Sequence, residues 1–340
     1  MGGHCGLESW AHNSLVRHAV SHSLVGPYVA KEVVQQAVSH NAYPVLHNGT
    51  FYVHHIGGGT SNNFIVSCTN GTTPLPESGN AANDVKRASD IHPQPTVLTA
   101  ATPSGPWTDR NITCDPAPCP YWSNPAVFIW PNGSSILLLS MRAAKTSNAS
   151  CAVPPWHCAD GGFQVAMAPT PLGPFRPVLG SWGVSPINTQ ECEDSYVWVN
   201  KRGYHAIFHC WGRPGGDSGG YAWSRDGVHW STSTRPFRRD NPELSSPELP
   251  FIDTIAQSDG STQQYYQRQR PKLVLNDDGT PAALLTGVDA KSENHPNSWQ
   301  KYCQGSDGRK MTAFGCDLTI THLQLIRQRG STAPAPPHSP

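Results

Sequence analysis

Three carboxyl side chains, Glu191, Glu193 and Asp194, lie within four consecutive positions of the segment ECEDSYVWVNKRGYHAIFH. A like charge and removal from water both favour the protonated form of a carboxyl group. One acid can then donate a proton while another stays ionised, as general acid–base catalysis requires. Glu193 is the best candidate for the acid, and Glu191 is the second candidate, although it precedes Cys192 and is expected in a loop. Simple strand alternation predicts Asp194 on the opposite side from Glu193.

The acid cluster opens one of four similar segments. Each segment is an apolar run, a turn containing glycine, and a second apolar run, and the segments start near residues 41, 124, 193 and 269. Glycine adopts positive φ at little cost, which is typical of hairpin turns. The four predicted turns are Asn48-Gly49, Asn132-Gly133, Arg202-Gly203 and Asp278-Gly279.

Outer strands alternate with these hairpins. They begin with Ala and end in a Gly-Pro-aromatic corner at 19–28, 100–107 and 166–175, and a related segment spans 222–230. This order predicts an all-β fold, a five-bladed β-propeller of four-stranded blades. The first outer strand has no hairpin before it, so we expect the first blade to be incomplete at the N-terminus. The single propeller domain is predicted over 1–326, followed by a disordered Pro-rich tail over 327–340.

In such a propeller the first strand of each blade lines the central channel. The four blade starts would therefore form a ring of Asn41, Asn124, Glu193 and Gln269. Neighbouring polar side chains extend the set of candidate binding residues. These are His40, Asp194, His209 and Arg270, with Trp122 and Trp211 as aromatic platforms in loops.

The repeated motifs resemble those of the five-bladed propeller glycosidases, especially glycoside hydrolase family 43, over about residues 15–326. The resemblance lies in the Gly-Pro-aromatic corners, the Asn-Pro and Glu-Asp blade starts, and SRDGVHW at 224–230. It implies hydrolysis of arabinose- or xylose-containing saccharides by an aspartate base, an orienting aspartate and a glutamate acid. The family's acid opens a strand as Glu-x-Pro and is followed by Gly-x-Tyr. Glu193 matches that position, with Ser195 in place of proline.

Three positions depart from the family's pattern. Asn124 stands where the orienting aspartate is expected, Gln269 stands where relatives often have glutamate, and the inner strand that carries the base is not visible. An enzyme is favoured, but two alternatives stay open: a non-catalytic carbohydrate-binding propeller and a propeller that binds proteins. The sugar, the linkage and the stereochemical outcome stay open as well.

The resemblance implies no cofactor, and we assign no metal ligands. Some relatives hold an ion at the channel centre with a histidine, so a structural ion is the alternative. His205 and His209 lie four residues apart on one predicted strand, but two histidines are more often structural than metal ligands. Arg270 could pair with Glu193 or with a substrate carboxylate.

Composition limits the classes of partner. The chain has 340 residues, with 24 basic and 24 acidic side chains, whereas nucleic-acid binders usually have a basic excess. No apolar run reaches the ~20 residues needed to cross a bilayer. A carbohydrate partner, neither nucleic acid nor membrane, and a monomeric state are expected.

Cysteines and sequons favour a secreted glycoprotein. Ten cysteines without a C-x-x-C motif suggest disulfides, and local pairs such as Cys114/Cys119, Cys151/Cys158 and Cys303/Cys316 would close short loops. Sequons occur at Asn48, Asn70, Asn111, Asn132 and Asn148. The N-terminus does not read as a signal peptide, so we expect that the true start is missing.

Overall fold

The computed structural model describes residues 15–36, 39–57, 96–120, 124–143, 157–158, 162–187, 189, 192–210, 218–233, 251, 254–256, 260–290 and 319–326. All regular structure in these residues is β-strand. The strands are β1 (Val16–Val20), β2 (Val29–Gln35), β3 (His40–His47), β4 (Thr50–Ile56), β5 (Thr96–Ala100), β6 (Thr108–Asn111), β7 (Ala126–Ile129), β8 (Ser135–Ala143), β9 (His157–Cys158), β10 (Gly162–Ala168), β11 (Arg176–Pro177), β12 (Cys192–Asn200), β13 (Gly203–Cys210), β14 (Ser218–Ser224), β15 (Trp230–Ser233), β16 (Thr254–Ala256), β17 (Thr262–Leu275), β18 (Pro281–Ala290) and β19 (Thr319–Leu325).

The strands form four blades and one smaller sheet. Strands β3 to β6 form the first sheet, and β12 to β15 form the third, each in sequence order. The second sheet has the order β7-β8-β10-β11, with β9 added in parallel to β8, and the fourth has the order β16-β17-β18-β19. The prediction of an all-β propeller is confirmed. The described residues form four blades rather than five, together with the two-stranded sheet β1–β2.

The predicted turns and corners are found in the structure. Gly49, Gly133, Gly203 and Gly279 all have positive φ. The first three lie where the first two strands of a blade are joined, and Gly279 lies in the turn between β17 and β18 of the fourth blade. The Gly-Pro-aromatic corners lie between β1 and β2, between β5 and β6, and between β10 and β11. Each of these pairs is antiparallel, so the corner connects neighbouring strands of one sheet.

The blades pack through apolar faces around a common axis. Strand β3 contacts β7, β7 contacts β12, and β12 contacts β17, so the first strands of the first three blades and β17 of the fourth are adjacent in turn. One large core spans the first three blades, and the rings of Phe163 and Phe208 lie 4.8 Å apart between the second and the third. A second core between the third and fourth blades contains Trp198, Ile207 and Leu284. Burying each of these large side chains stabilises the fold by roughly 1.5–3 kcal/mol.

The small sheet β1–β2 packs on the outer side of the first blade. Val16 is buried against Val53 and Leu98, with Trp107 beside them. The opposite face of the first blade carries Val97, which belongs to the core shared with the second blade. Sheet β1–β2 therefore lies where a blade preceding the first would lie.

Two disulfides are present among the described residues. Cys114–Cys119 confirms one predicted local pair, while Cys192–Cys210 joins β12 to β13 and was not predicted. The predicted pairs Cys151/Cys158 and Cys303/Cys316 lie wholly or partly outside the described residues. Disulfides are typical of proteins that fold in an oxidising compartment. The described part of the chain has no helix with the length and apolar character needed to span a bilayer.

Candidate functional site

Four side chains from the four described blades, Asn41, Asn124, Asp194 and Arg270, meet on the channel axis, and we call them the ring. The amide of Asn41 connects the other three. Its Nδ2 donates hydrogen bonds to Asn124 Oδ1 at 2.5 Å and to Asp194 Oδ1 at 2.6 Å. Its Oδ1 accepts from Arg270 Nε at 2.7 Å. Only this orientation of the amide satisfies all three partners, because a carboxylate only accepts and a guanidinium only donates.

All four side chains come from residues with positive φ, and in three of the blades this residue belongs to a β-bulge. Two residues of one strand lie opposite a single residue of its partner between His40 and Tyr43, between Glu193 and Tyr196 and between Gln269 and Lys272. The first residue of each bulge has positive φ, and so does Asn124, which precedes β7. The φ values are 51° at Asn41, 46° at Asn124, 55° at Asp194 and 52° at Arg270. A non-glycine residue in this region costs on the order of 1 kcal/mol, and such strain is common at functional sites.

The bulge explains why the ring differs from the predicted one. Simple alternation predicted Glu193 and Gln269 in the ring and Asp194 on the opposite side. The extra residue of each bulge interrupts the alternation, so Asp194 and Arg270 take the positions equivalent to Asn41. Gln269 is 6% exposed, and Glu193 lies beside the ring rather than within it.

Asp194 is a buried carboxylate held by cationic neighbours. Its side chain is 2% exposed, Arg270 Nε lies 3.7 Å from its Oδ2, and His209 Nδ1 lies 3.3 Å from the same oxygen. Burial by itself would raise its pKa, but the charge of Arg270 and the hydrogen bond and charge of His209 hold the pKa of Asp194 well below its ordinary value. Asp194 therefore stays ionised, and its burial keeps it from direct contact with a ligand.

Glu193 is the more accessible of the two adjacent acids. Its side chain is 15% exposed, and the fully buried His209 lies with Nε2 3.8 Å from Glu193 Oε1. Asn124 Nδ2 donates to Glu193 Oε2 at 3.2 Å. This bond holds one oxygen of the carboxyl group, and its N–H donor can be accepted either by a carboxylate or by the carbonyl oxygen of a carboxylic acid.

Arg270 and His40 lie at the other side of the ring. Arg270 Nη2 donates to His40 Nε2 at 2.9 Å. A nitrogen that accepts this bond carries no proton, so the His40 ring is neutral. The Arg270 side chain is 32% exposed. This arrangement leaves part of the guanidinium open to a ligand.

A second layer lies two residues after Asn41, Asp194 and Arg270, in three of the four blades. The rings of Tyr43 and Tyr196 are 5.6 Å apart, and Lys272 Nζ lies 4.9 Å from the centre of the Tyr43 ring. Lys272 also donates to Ser195 O at 3.4 Å. Removal of its ammonium from water lowers the pKa of Lys272 to about 8, with Asp194 opposing and Arg270 adding to the shift. Tyr43 is buried and Tyr196 is partly buried in this layer, whereas Glu193 and Arg270 keep part of their side-chain surface exposed.

Sequence reasoning brought together most of the groups in this site. His40, Asn41, Asn124, Asp194, Glu193, His209 and Arg270 form one connected cluster. Glu191, Trp122 and Trp211 lie outside the described residues. Lys272 was missed, because it aligns with Tyr43 and Tyr196 only when positions are counted from Asp194 and Arg270 rather than from the predicted blade starts Glu193 and Gln269.

One group of side chains has donor atoms suited to a metal ion. Single atoms of Glu193, Asp194 and His209 lie within 4.8 Å of one another. Carboxylate and imidazole groups bind several divalent cations. Arg270 lies 3.7 Å from the same Asp194 carboxylate, however, and its positive charge opposes a second cation there.

No protein-family model and no curated protein matches the chain. Several solved structures are similar to it over most of its length. A thermostable family-43 glycoside hydrolase aligns at 11% identity over 81% of this chain and 77% of that chain, with a TM-score of 0.44. A xylan β-1,4-xylosidase from Bacillus halodurans aligns at 13% identity over 94% of this chain and 54% of that chain, with a TM-score of 0.45. An endo-arabinase from Bacteroides thetaiotaomicron aligns at 13% identity over 87% of this chain and 85% of that chain, with a TM-score of 0.38. The chain thus spans about half the length of the xylosidase, and the similarity concerns the overall fold.

Proposed function

We propose that the protein is a glycoside hydrolase in which Glu193 is the general acid at the mouth of the channel. The observation that carries this proposal is the contrast between two adjacent carboxyl groups. Asp194 is 2% exposed and ion-paired, whereas Glu193 is 15% exposed. Pairs of carboxyl groups with different environments are the usual basis for assigning distinct acid and charge-stabilising roles.

The neighbours of Glu193 support its role as an acid. A second negative charge beside the ionised Asp194 is unfavourable, so a proton on Glu193 lowers the repulsion between them. Asn124 fixes the carboxyl group through Oε2, and His209 lies between the two acids. In this proposal Asp194 takes the positioning role that the family resemblance gave to the position of Asn124.

The sugar would bind between Glu193 and the exposed part of Arg270. His40 and Asn41 offer further hydrogen-bonding groups, and the loop tryptophans Trp122 and Trp211 are proposed as stacking platforms. An arabinose- or xylose-containing oligosaccharide is the proposed substrate class, on the basis of the sequence resemblance alone. Secretion is proposed from the disulfides, with N-glycans at exposed sequons such as Asn48 and Asn132.

A non-catalytic carbohydrate-binding protein is the second candidate. The observation that favours it is the chemistry of the ring, where Asn41 and Asn124 are amides and Asp194 is ion-paired. Hydrolysis also needs a group that activates water or attacks the sugar. The described part of the channel offers no second accessible carboxylate for that step.

A substrate screen separates the two candidates. The purified chain is assayed against aryl glycosides and against arabinan and xylan oligosaccharides, with Glu193→Gln as the test variant and Asp226→Asn as the control. Asp226 lies in the β14–β15 turn, where it bonds Ser224 and the Val228 backbone. Turnover that is lost in Glu193→Gln but kept in Asp226→Asn supports the enzyme. Sugar binding without turnover by the unmodified chain supports the binding protein.

We also propose that β1 and β2 are the two outer strands of a fifth blade. Their Gly-Pro-aromatic corner matches the third-to-fourth strand corner of the first two described blades, and Val16 packs on the free face of the first blade.

Several apolar side chains on this sheet are exposed, namely Val20, Leu24, Val25, Tyr28 and Val29. This exposure is the one observation that favours the protein-binding alternative. A monomer in analytical ultracentrifugation, which we expect, would speak against self-association through this surface.

A further inference from the structure

The guanidinium of Arg270 has one edge bound in the ring and one edge unassigned. Its Nε donates to Asn41 Oδ1 at 2.7 Å, and its Nη2 donates to His40 Nε2 at 2.9 Å. A guanidinium has five N–H donors. Within the part of the chain that the structure describes, Nη1 makes no hydrogen bond, and the side chain is 32% exposed. The edge formed by Nη1 and Nη2 is therefore available to a ligand at the channel mouth.

The charges around this edge do not cancel when Glu193 is protonated. Arg270 and Lys272 are cations, and Asp194 lies close enough to both to affect their electrostatics. Asp194 supplies one negative charge, and His40 is neutral because its Nε2 accepts from Arg270. At least one positive charge is left over. A site of this kind, partly removed from water, favours a ligand with a single negative charge.

We propose that Arg270 binds the carboxylate of an acidic sugar unit, such as a uronate, at the mouth of the channel. This inference rests on the proposed carbohydrate function and narrows its substrate class. A planar guanidinium edge matches the two oxygens of a carboxylate, and the resulting paired hydrogen bonds are charge-assisted. A neutral sugar would leave the surplus charge without a partner. A sulfate ester would supply charge but not the planar pair of oxygens.

Matched pairs of oligosaccharides test this proposal on the full chain. Isothermal titration calorimetry compares xylotriose with xylotriose that carries one glucuronic acid branch, and galactotriose with trigalacturonate. We expect the acidic member of at least one pair to bind roughly tenfold or more tightly, as hydrogen bonds to charged groups imply. Arg270→Gln should remove this preference, and Arg270→Lys should keep part of it because the charge remains without the planar edge. Arg225→Gln is the matched control, since Arg225 is exposed in the β14–β15 turn, and it should leave the preference unchanged.

Because Arg270 also holds the ring, thermal unfolding must show that its variants are folded. A second test needs no variant: added salt should weaken binding of the acidic member and leave the neutral member almost unchanged. Equal affinity within both pairs, or a preference that persists in folded Arg270→Gln, would overturn the inference and leave the proposed function intact. Tighter binding of a sulfated than of a carboxylated sugar would overturn it as well. Failure of every acidic and neutral sugar to bind would overturn both the inference and the proposed function.

Discussion

Asn41 Nδ2 lies 2.6 Å from Asp194 Oδ1, although the two residues are 153 positions apart in the chain. The same side chain also reaches Asn124 and Arg270. One amide thus connects all four described blades. It holds the Asp194 carboxylate in place next to the side chain of Glu193. The hydrogen bonds that join the blades therefore also set the geometry of the candidate site.

Removal of this amide should destabilise the whole fold. Asn41→Leu deletes three hydrogen bonds, two of them to charged groups, and leaves the buried Asp194 with fewer partners. We expect the free energy of unfolding to fall by about 2–4 kcal/mol, measured by urea denaturation. The control is Asn111→Leu at an exposed position of β6, which should change it by less than about 0.5 kcal/mol. Equal effects of the two substitutions would show that the ring does not connect the blades energetically.

Asp194 should make stability depend on acid pH. Its folded-state pKa is lowered, so the unfolded state binds the proton more tightly. Its contribution is therefore fully present above the unfolded value of about 4 and is lost as the pH falls from there toward the folded-state pKa. The measurement is the difference in free energy of unfolding between the wild type and Asp194→Asn as a function of pH. A difference that stays constant as the pH falls below 4 would contradict the lowered pKa.

Sequence patterns predicted the strands better than the ring. Hairpin turns at Asn48-Gly49 and Asp278-Gly279 and the Gly-Pro-aromatic corners are local signals, and the structure contains them. The ring depends on a bulge, which shifts the inward-facing residue by one position. The residue types gave a partial signal, because asparagine and aspartate tolerate positive φ better than most residues, and they occupy three of the four positions. Arg270 gave no such signal.

The sequence also did not predict which cysteines form the second disulfide. Cys192 and Cys210 are 18 residues apart, and ten cysteines allow many pairings. Their pairing follows from the register of β12 and β13, in which Cys192 lies opposite Cys210 and Glu193 lies opposite His209. The register depends on how β12 and β13 pair in the folded protein. This pairing places the disulfide directly next to the candidate acid Glu193.

The two disulfides should therefore differ in their effect on the site. The double substitutions Cys192→Ala/Cys210→Ala and Cys114→Ala/Cys119→Ala should each lower stability by about 2–4 kcal/mol. Only the first should also lower kcat, by roughly tenfold to a hundredfold, because it loosens the strands that carry Glu193 and His209. Thermal unfolding and steady-state kinetics on the same samples separate the two effects. Matching losses of kcat in both variants would show that the Cys192–Cys210 bond has no particular role at the site.

The sheet β1–β2 should be an integral part of the propeller. Val16 is 8% exposed and packs against Val53 and Leu98 of the first blade. Val16→Asp buries a charge in this contact, and we expect a loss of about 2–4 kcal/mol in the free energy of unfolding. Val25→Asp is the control, since Val25 is 71% exposed. If Val16→Asp is as stable as the control, β1–β2 is an appendage rather than part of a blade.

The most direct test of the account measures whether Glu193 donates a proton to the leaving group. Hydrolysis rates of Glu193→Ala and the wild type are compared on glycosides of one sugar whose leaving groups range from acidic dinitrophenol to a sugar alcohol. A general acid matters most for poor leaving groups, so the variant should lose roughly 100- to 10,000-fold on these. It should lose much less on the dinitrophenyl glycoside, whose leaving group needs no proton. A uniform loss across the series, or no loss at all, would contradict the assignment of Glu193 as the acid.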